Sequence, residues 1–425
     1  MLDIKLFRET PDLIRDDLKK RKDNEKLPWV DKLISLDKER RELQLQVDKL
    51  RQERNAVSQE INQFKKEGKD AKTAMDRAKA IPSELKELED KQDAVGADIK
   101  YFLLRIPNLM HESVPYGKDD TENEQIRSWG VPRKPDFELK NHGELAESLG
   151  SDFDRSAKIA GAGFYYLKGD LALLNQALIQ FAIRHMVRKG YTYVEPPLMM
   201  RKEHYQGVVD LGDFEKVMYK IEGEDSFLIA TSEHPLIAQY ANEILEAKSF
   251  PIKLVGYSMC FRREIGSHGV DTKGFFRTHQ FNKVEQVVLC KPEDSWEIHE
   301  ELQRNGEEIF EALELPYRVV NICTGDLGSI AAKKYDTEVW MAKQQAYKEV
   351  LSCSHCTDYQ ARRLGIRYRT QDGNKLVHTL NNTALATSRV LVAILEHYQN
   401  EDGSVTIPEV LQPAMGKKKL DPAPR

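Results

Sequence analysis

From about Trp29 onward, apolar positions recur at alternating steps of three and four residues. They run through Leu33, Leu36, Arg40, Leu43, Val47, Leu50, Arg54, Val57, Ile61 and Phe64. This is a coiled-coil seam, and it predicts a helix about 45–50 Å long at 1.5 Å per residue. Gly68, Lys69 and Asp70 break the pattern, and a second seam runs back through Ala74, Ala78, Ile81, Leu85, Leu88, Gln92, Val95, Ile99, Phe102 and Ile106. Two seams and one short break predict an antiparallel helical hairpin, an arm over about 29–106 inside an N-terminal domain of residues 1–110. With Phe64 opposite Ala74, the seam arginines Arg40 and Arg54 fall near Asp98 and Glu84, and both pairs are expected as a register device. Pro82 is expected to kink the second helix or to mark a restart at Ser83.

The periodicity then disappears. Residues 111–136 are rich in Pro and Asn/Asp and read as a linker. A mixed region follows, taken as a second domain over 137–415. Leu171 to Gly190 has the 3.6-residue amphipathic pattern of a helix ended by glycine, followed by the extended YTYVEPPLMM. Glu301 to Leu313 and Thr387 to Tyr398 read as further helices, the latter buried. The tail 416–425 has no apolar pattern and is expected to be disordered.

Composition narrows the picture without changing it. With 425 residues, 40% hydrophobic and 31% charged, the chain is an ordinary globular one with room for two or three domains. A net charge of −5 means that any nucleic acid would have to be met by a local basic patch. The tip of the arm, Lys65 to Lys79, is such a patch, with six basic and three acidic residues. Five cysteines, few and odd in number, favour a reducing compartment, and no apolar run approaches membrane-spanning length. A cytoplasmic protein with no membrane association is expected.

Candidate chemistry concentrates between Phe261 and Gln286, FRREIGSHGVDTKGFFRTHQFNKVEQ. Alternating strands flank a loop rich in turn formers, Gly266, Ser267, His268, Gly269 and Asp271. Alternation puts Arg262 and Glu264 on one face of the first strand. On the second it puts Arg277, His279, Phe281, Lys283 and Glu285 on one face. Such a face is a poor core and a good cradle for a base carrying a polyphosphate, because guanidinium binds phosphate bidentately and a ring stacks on a base. A solvated hairpin with ion pairs is the competing reading.

A helix, a strand and Pro196-Pro197, then the Arg-x-Glu hairpin, then NNTALATSRVLVAILEHY resemble the three motifs of class II aminoacyl-tRNA synthetases in their order. The helical arm, TGDLGSIAAKKYDTEVW at 324–340 and SCSHCTDYQARRLGIRYR at 352–369 extend that resemblance to the seryl-tRNA synthetases over essentially the whole chain. The resemblance implies an α+β protein: an N-terminal coiled-coil hairpin, plus a catalytic domain with an antiparallel β-sheet flanked by helices and the first motif at a homodimer interface. It implies ATP and Mg²⁺ as cofactors. L-serine would be activated to seryl-adenylate, then passed to tRNA(Ser) gripped by the arm, with tRNA(Sec) left open as a second acceptor.

The same resemblance implies roles. Arg262 would hold the α-phosphate and the serine carboxylate, and Arg277 and Arg389 the γ-phosphate, these three being the catalytic set. Glu264 would read the adenine amino group, Phe281 stack on the ring and Thr278 meet adenine through its backbone, with Arg263, Val350 and Leu351 completing the ATP site. Glu349 and Ser352 would ligate Mg²⁺ and the phosphates. Thr231, Ser232, Glu233, Arg262, Glu285, Asn381 and Thr383 would line the serine pocket. There Glu285 would accept from both ammonium and hydroxyl, so that alanine leaves a buried acceptor unsatisfied. The loop Gly266 to Lys273 would close over ATP.

Three positions depart from the family's usual pattern. Asn381-Asn382-Thr383-Ala384 stands for NGSG, moving the hydroxyl contact to Thr383; Ser232 lies inside TSE; and His355 stands where Asn is frequent. Cys353 and Cys356 have a metal-ligand spacing but no second pair, which favours a buried strand edge over zinc. His268 and His279 read as loop and sheet residues, since this chemistry calls for no acid or base. Two rivals share parts of the pattern. An amino acid:carrier-protein ligase would lack the long arm, and a catalytically dead paralogue would be expected to have lost Arg262, Glu285 or Arg389.

Overall fold

The computed structural model describes residues 1–264 and 274–422. The expectations for the loop residues Gly266 to Lys273, His268 included, therefore lie outside the described residues. The chain divides into two compact units, Met1–Pro107 and Asn108–Arg425.

In the first unit, Thr10 and Pro11 open a short helix, Pro11–Lys20, as proline at the first helical position does. The arm follows as α1, Leu27–Glu67, and α2, Lys72–Leu103. At 41 residues α1 is about 60 Å long, longer than expected, because it runs past both ends of its seam. It stops at Gly68, whose φ of 70° is the left-handed cap that glycine takes without strain. Between the helices Val47, Leu50, Val57, Ala74, Ile81 and Leu85 are buried together. Gln92 donates to Gln44 at 2.6 Å and Arg51 reaches Glu89 at 2.8 Å, so the expected register is met.

The expected charged pairs are not. Arg40 lies 3.6 Å from Asp37, one turn away on its own helix, and Glu84 is taken by Arg77, which also forks onto Glu53. A near intrahelical carboxylate and a better-placed arginine outcompete the cross-seam partners. Nor does Pro82 cause a restart, since α2 is unbroken through it.

The second unit is built on one eight-stranded sheet. In chain order its strands are β1 (Glu124–Trp129), β2 (Thr192–Val194), β3 (Ile252–Phe261), β4 (Gln280–Cys290), β5 (Tyr317–Asn321), β6 (Lys333–Met341), β7 (Ala346–His355) and β8 (His378–Ala386). They lie in the order β1-β5-β6-β7-β8-β4-β3-β2, antiparallel throughout except for the β2–β3 edge. Five helices matter for the site: α3 (Gly169–Arg188), α4 (Glu233–Ala238), α5 (Ser295–Ala312), α6 (Tyr359–Leu364) and α7 (Thr387–Tyr398). The apolar core gathers Leu174, Leu178 and Met186 of α3, Leu302, Ile309 and Phe310 of α5, and Val390, Leu391 and Ile394 of α7 against Val284, Val288 and Leu380 of the sheet.

Two segments hold more order than their composition suggested. Within 111–136, β1 forms the outer strand beside β5, and in the tail Lys419–Leu420 pairs with Val405–Thr406 with Leu420 buried. Backbone pairing supplied by a distant partner orders both, and neither carries a local pattern of its own.

Polar residues on the central strands divide between the two sheet faces. Gln286 of β4 and Asn382 of β8 sit opposite each other and donate to the Leu302 carbonyl of α5 at 3.3 and 2.7 Å. Their neighbours Glu285 and Thr383 pair in the same register and point the other way, into a cleft.

Candidate functional site

The cleft has a volume of about 300 Å³, and its floor is the face of β4, β7 and β8 opposite α5. Phe281, Lys283 and Glu285 come from alternate positions of β4. Arg262 and Glu264 lie just beyond the end of β3, and Arg277 and Thr278 just before β4, so the hairpin strands are shorter than the charge pattern they carry.

Strand alternation alone would turn Glu349 and Ser352, three residues apart, to opposite faces. A β-bulge between Glu349 and Leu351 corrects this. Glu349 and Ser352 then sit opposite Glu338 and Asp336 of β6, two residues apart on one face, and Val350, Ser352 and Ser354 line the cleft. A second bulge, between Thr383 and Leu385, serves β8 in the same way.

At one end the groups are those of a nucleotide cradle. The Arg262 guanidinium lies 5.4 Å above the Phe281 ring, and its Nε donates to the Ala230 carbonyl at 3.3 Å. Arg277 comes within 3.9 Å of Glu264. Arg389 donates to the Glu349 carbonyl at 2.7 Å, approaches its carboxylate at 3.3 Å and covers Phe276 at 5.1 Å. Enclosure by the cleft would raise the Glu349 pKa, but Arg389, Lys334 and Arg262 outweigh it and hold this carboxylate below its usual range.

At the other end two carboxylates, Glu285 and Glu233, line the deeper part of the same cleft. Glu285 is 1% exposed and meets Lys283 Nζ at 2.6 Å, while Thr383 Oγ1 donates to it at 3.2 Å. Glu233, the first residue of α4, accepts from Gln360 of α6 at 3.2 Å. Burial, then the charge of Glu285, push the Glu233 carboxyl up to about 7. Burial likewise raises Glu285, opposed by Lys283 and by the Thr383 hydrogen bond. Beneath them the Tyr205 hydroxyl and His234 Nδ1 share a hydrogen bond at 3.0 Å, and burial pushes the His234 imidazole well down, keeping it neutral.

Of the expected site residues the cleft gathers Thr231, Glu233, Arg262, Glu264, Arg277, Thr278, Phe281, Glu285, Glu349, Val350, Ser352, Asn381, Thr383 and Arg389. Three others present no side chain to it. Ser232 is fully buried and donates to the Gly256 carbonyl at 3.1 Å, Arg263 is exposed with its backbone N–H on the Val217 carbonyl, and Leu351 packs into the core. Alternation explains the last two, since each neighbours a residue that faces the cleft.

Lys283, Gln360, Ser388 and Phe276 were missed. Lys283 shares the face of Glu285 in the sequence pattern, but a Lys two residues from a Glu on a strand also reads as a solvated pair. Cys353 and Cys356 are buried free thiols, with Cys353 Sγ donating to the His299 carbonyl at 3.7 Å. His279 stacks on Phe164, shares a hydrogen bond between its Nδ1 and the Tyr219 hydroxyl, and its carbonyl accepts from the Arg262 N–H at 3.0 Å.

Comparison with known proteins agrees with this geometry. Residues 1–110 match the model of the seryl-tRNA synthetase N-terminal domain, and residues 216–398 that of the class II tRNA synthetase core domain for G, H, P, S and T. The chain is 57% identical over 419 residues to a serine–tRNA ligase of Methanocella arvoryzae, covering 98% of this chain and 99% of that one. It is 56% identical over 424 residues to one of Methanospirillum hungatei, covering 99% and 100%. The crystal structure of a seryl-tRNA synthetase from Pyrococcus horikoshii complexed with ATP superposes with a TM-score of 0.94 at 47% identity, covering all of both chains. Arm, sheet and cleft together place this chain in the seryl-tRNA synthetase family.

Proposed function

We propose that this chain is a serine–tRNA ligase that activates L-serine with ATP and transfers the seryl group to tRNA(Ser). The observation that carries the reading is the union, in one cleft, of a guanidinium and aromatic cradle with a deeper pair of carboxylates, Glu233 and Glu285. Adenine would lie between Phe281 and the cleft wall with its amino group on Glu264, the triphosphate spanned by Arg277 and Arg389. Arg262 stands between the two ends. It would neutralise the charge that grows on the α-phosphate as the serine carboxylate attacks and a pentavalent phosphorus forms. No side chain need move a proton, so the rate would come from positioning and charge.

The residues around Glu349 and Ser352 suit a hard cation. Both are oxygen donors on one face, and beside them Asp336 keeps Oδ1 buried without a hydrogen-bond partner. Glu349 and Ser352 would hold Mg²⁺, which when bound neutralises phosphate charge. The coiled-coil arm would take tRNA through the basic tip Lys65 to Lys79. A homodimer joined through α3 and β2 fits their exposed apolar side chains, Leu173, Val187 and Tyr193. None of the helices among the described residues is long and apolar enough to cross a membrane. The free cysteines suit a cytoplasmic protein.

Serine-dependent ATP–pyrophosphate exchange, followed by charging of tRNA with serine, tests the reading. Both activities are expected. Exchange without charging would favour a carrier-protein ligase, and absence of exchange a binding protein.

A further inference from the structure

Lys283 is a buried cation of the cleft to which the proposed chemistry gives no task. Its Nζ lies 2.6 Å from Glu285 Oε2, with side-chain exposures of 9% and 1%. The same oxygen accepts from Thr383 Oγ1. Oε2 is therefore occupied by two protein donors, and Oε1 is the oxygen left for a ligand. Around Glu285 stand Lys283 from its own strand, Thr383 and Asn381 from β8, Glu233 from α4 and Arg262 from the end of β3. With both carboxylates ionised, two anions face two cations. Such a pocket admits a zwitterion with no change of net charge, whereas without Lys283 it would hold an uncompensated buried anion.

We propose that Lys283 is a positioning residue for the amino-acid substrate. By holding Glu285 Oε2 it keeps that carboxylate a pure acceptor, reserves Oε1 for the serine hydroxyl, and leaves Glu233, anchored by Gln360, to receive the serine ammonium. The inference rests on the reading of Glu285 and Glu233 as serine groups, and it divides between them a task that Glu285 alone was expected to do. Chemically, an ionised Glu285 whose second oxygen is filled penalises alanine, which offers no hydroxyl proton to the first. Burial favours the protonated form, and Lys283 and Thr383 oppose it. A neutral Glu285 accepts more weakly and discriminates less.

The test is serine- and alanine-dependent pyrophosphate exchange between pH 6.5 and 8.5 for the full-length enzyme and for Lys283→Met, Lys283→Arg and Glu285→Gln. Lys283→Met is expected to raise KM for serine about tenfold or more at pH 7, each pKa unit given back to Glu285 being tenfold. KM for ATP should stay unchanged. The defect relative to the parent enzyme should shrink toward pH 8.5 as Glu285 ionises, serine-over-alanine selectivity should fall about tenfold at pH 7, and Lys283→Arg, which restores the charge, should return the parent pH profile. If Lys283→Met does not fold, Lys283→Gln, which keeps a donor and loses the charge, carries the same expectations. A loss independent of pH that falls equally on serine and ATP would overturn the proposal, and so would unchanged KM and selectivity. Glu285→Gln separates the two readings. Wild-type serine kinetics in that variant would remove Glu285 from the serine site, whereas a crippled Glu285→Gln beside an unaffected Lys283→Met would defeat only the role of Lys283.

Discussion

Glu285 and Glu233 share one small pocket and differ in what compensates them. Glu285 has Lys283 at 2.6 Å, while Glu233 is hydrogen-bonded by the neutral amide of Gln360 and feels Lys283 and Arg262 through space, too little to offset burial and the charge of Glu285, which push it up to about 7. Below that value Glu233 carries a proton and cannot pair with an ammonium, so kcat/KM for serine should fall as pH drops through about 7. A pH–rate profile with KM for ATP as the control checks this, and a flat profile between pH 6 and 8 would remove Glu233 from the ammonium site. Glu285→Ala leaves Lys283 buried and unpaired and removes the hydroxyl acceptor. Serine-dependent exchange should drop by about 10³ or more, read as kcat/KM at saturating ATP. Gly163 makes a subtler case. Its φ is +82°, and a Cβ there would come 2.3 Å from the His279 ring. Gly163→Ala should push His279 and the attached Arg262 backbone out of place, raising KM for ATP more than KM for serine.

Among the elements, the arm and the hairpin were legible to different depths. The alternating three- and four-residue steps of Leu33 to Phe64 belong to one geometry only, so the arm, its break at Gly68 and its register could be read directly. The charged partners could not, because Arg40 and Glu84 each had a nearer or better-aimed alternative in three dimensions. In β7 the spacing of Glu349 and Ser352 argued against a shared face, and only the bulge reconciles them. Deleting Val350, the extra residue of the bulge, would make β7 regular there and keep Glu349 and Ser352 on one face, so serine-dependent exchange should weaken through loss of the Val350 wall rather than vanish, with the fold intact by circular dichroism; complete loss of exchange in a folded protein would show that the bulge itself sets the facing. Trimming Lys65 to Lys79 should lower tRNA charging about tenfold or more at physiological salt and leave pyrophosphate exchange nearly intact. Equal loss of both activities would refute the assigned role of the tip.

For the whole molecule, exposed apolar surface bears on assembly. The outer strand β2 is three residues long with Tyr193 exposed, and α3 exposes Leu173 and Val187, a surface costly to leave in water. Sedimentation equilibrium should give twice the chain mass, and Leu173→Asp or Val187→Asp should shift it toward monomer; a monomeric parent protein would refute the interface. The sequence by itself determined the arm, the buried helix at 387–398 and the residue types gathered around Arg262 and Glu285, because each rests on a local period or motif that one geometry satisfies. The tertiary structure decided which of those residues share a cleft. Two bulges set the facing of β7 and β8, distant strands gave order to 124–129 and 419–420, and Lys283 fell on Glu285 rather than in solvent. These outcomes depend on registers between segments far apart in the chain, where the competing partners differ in space and not in sequence.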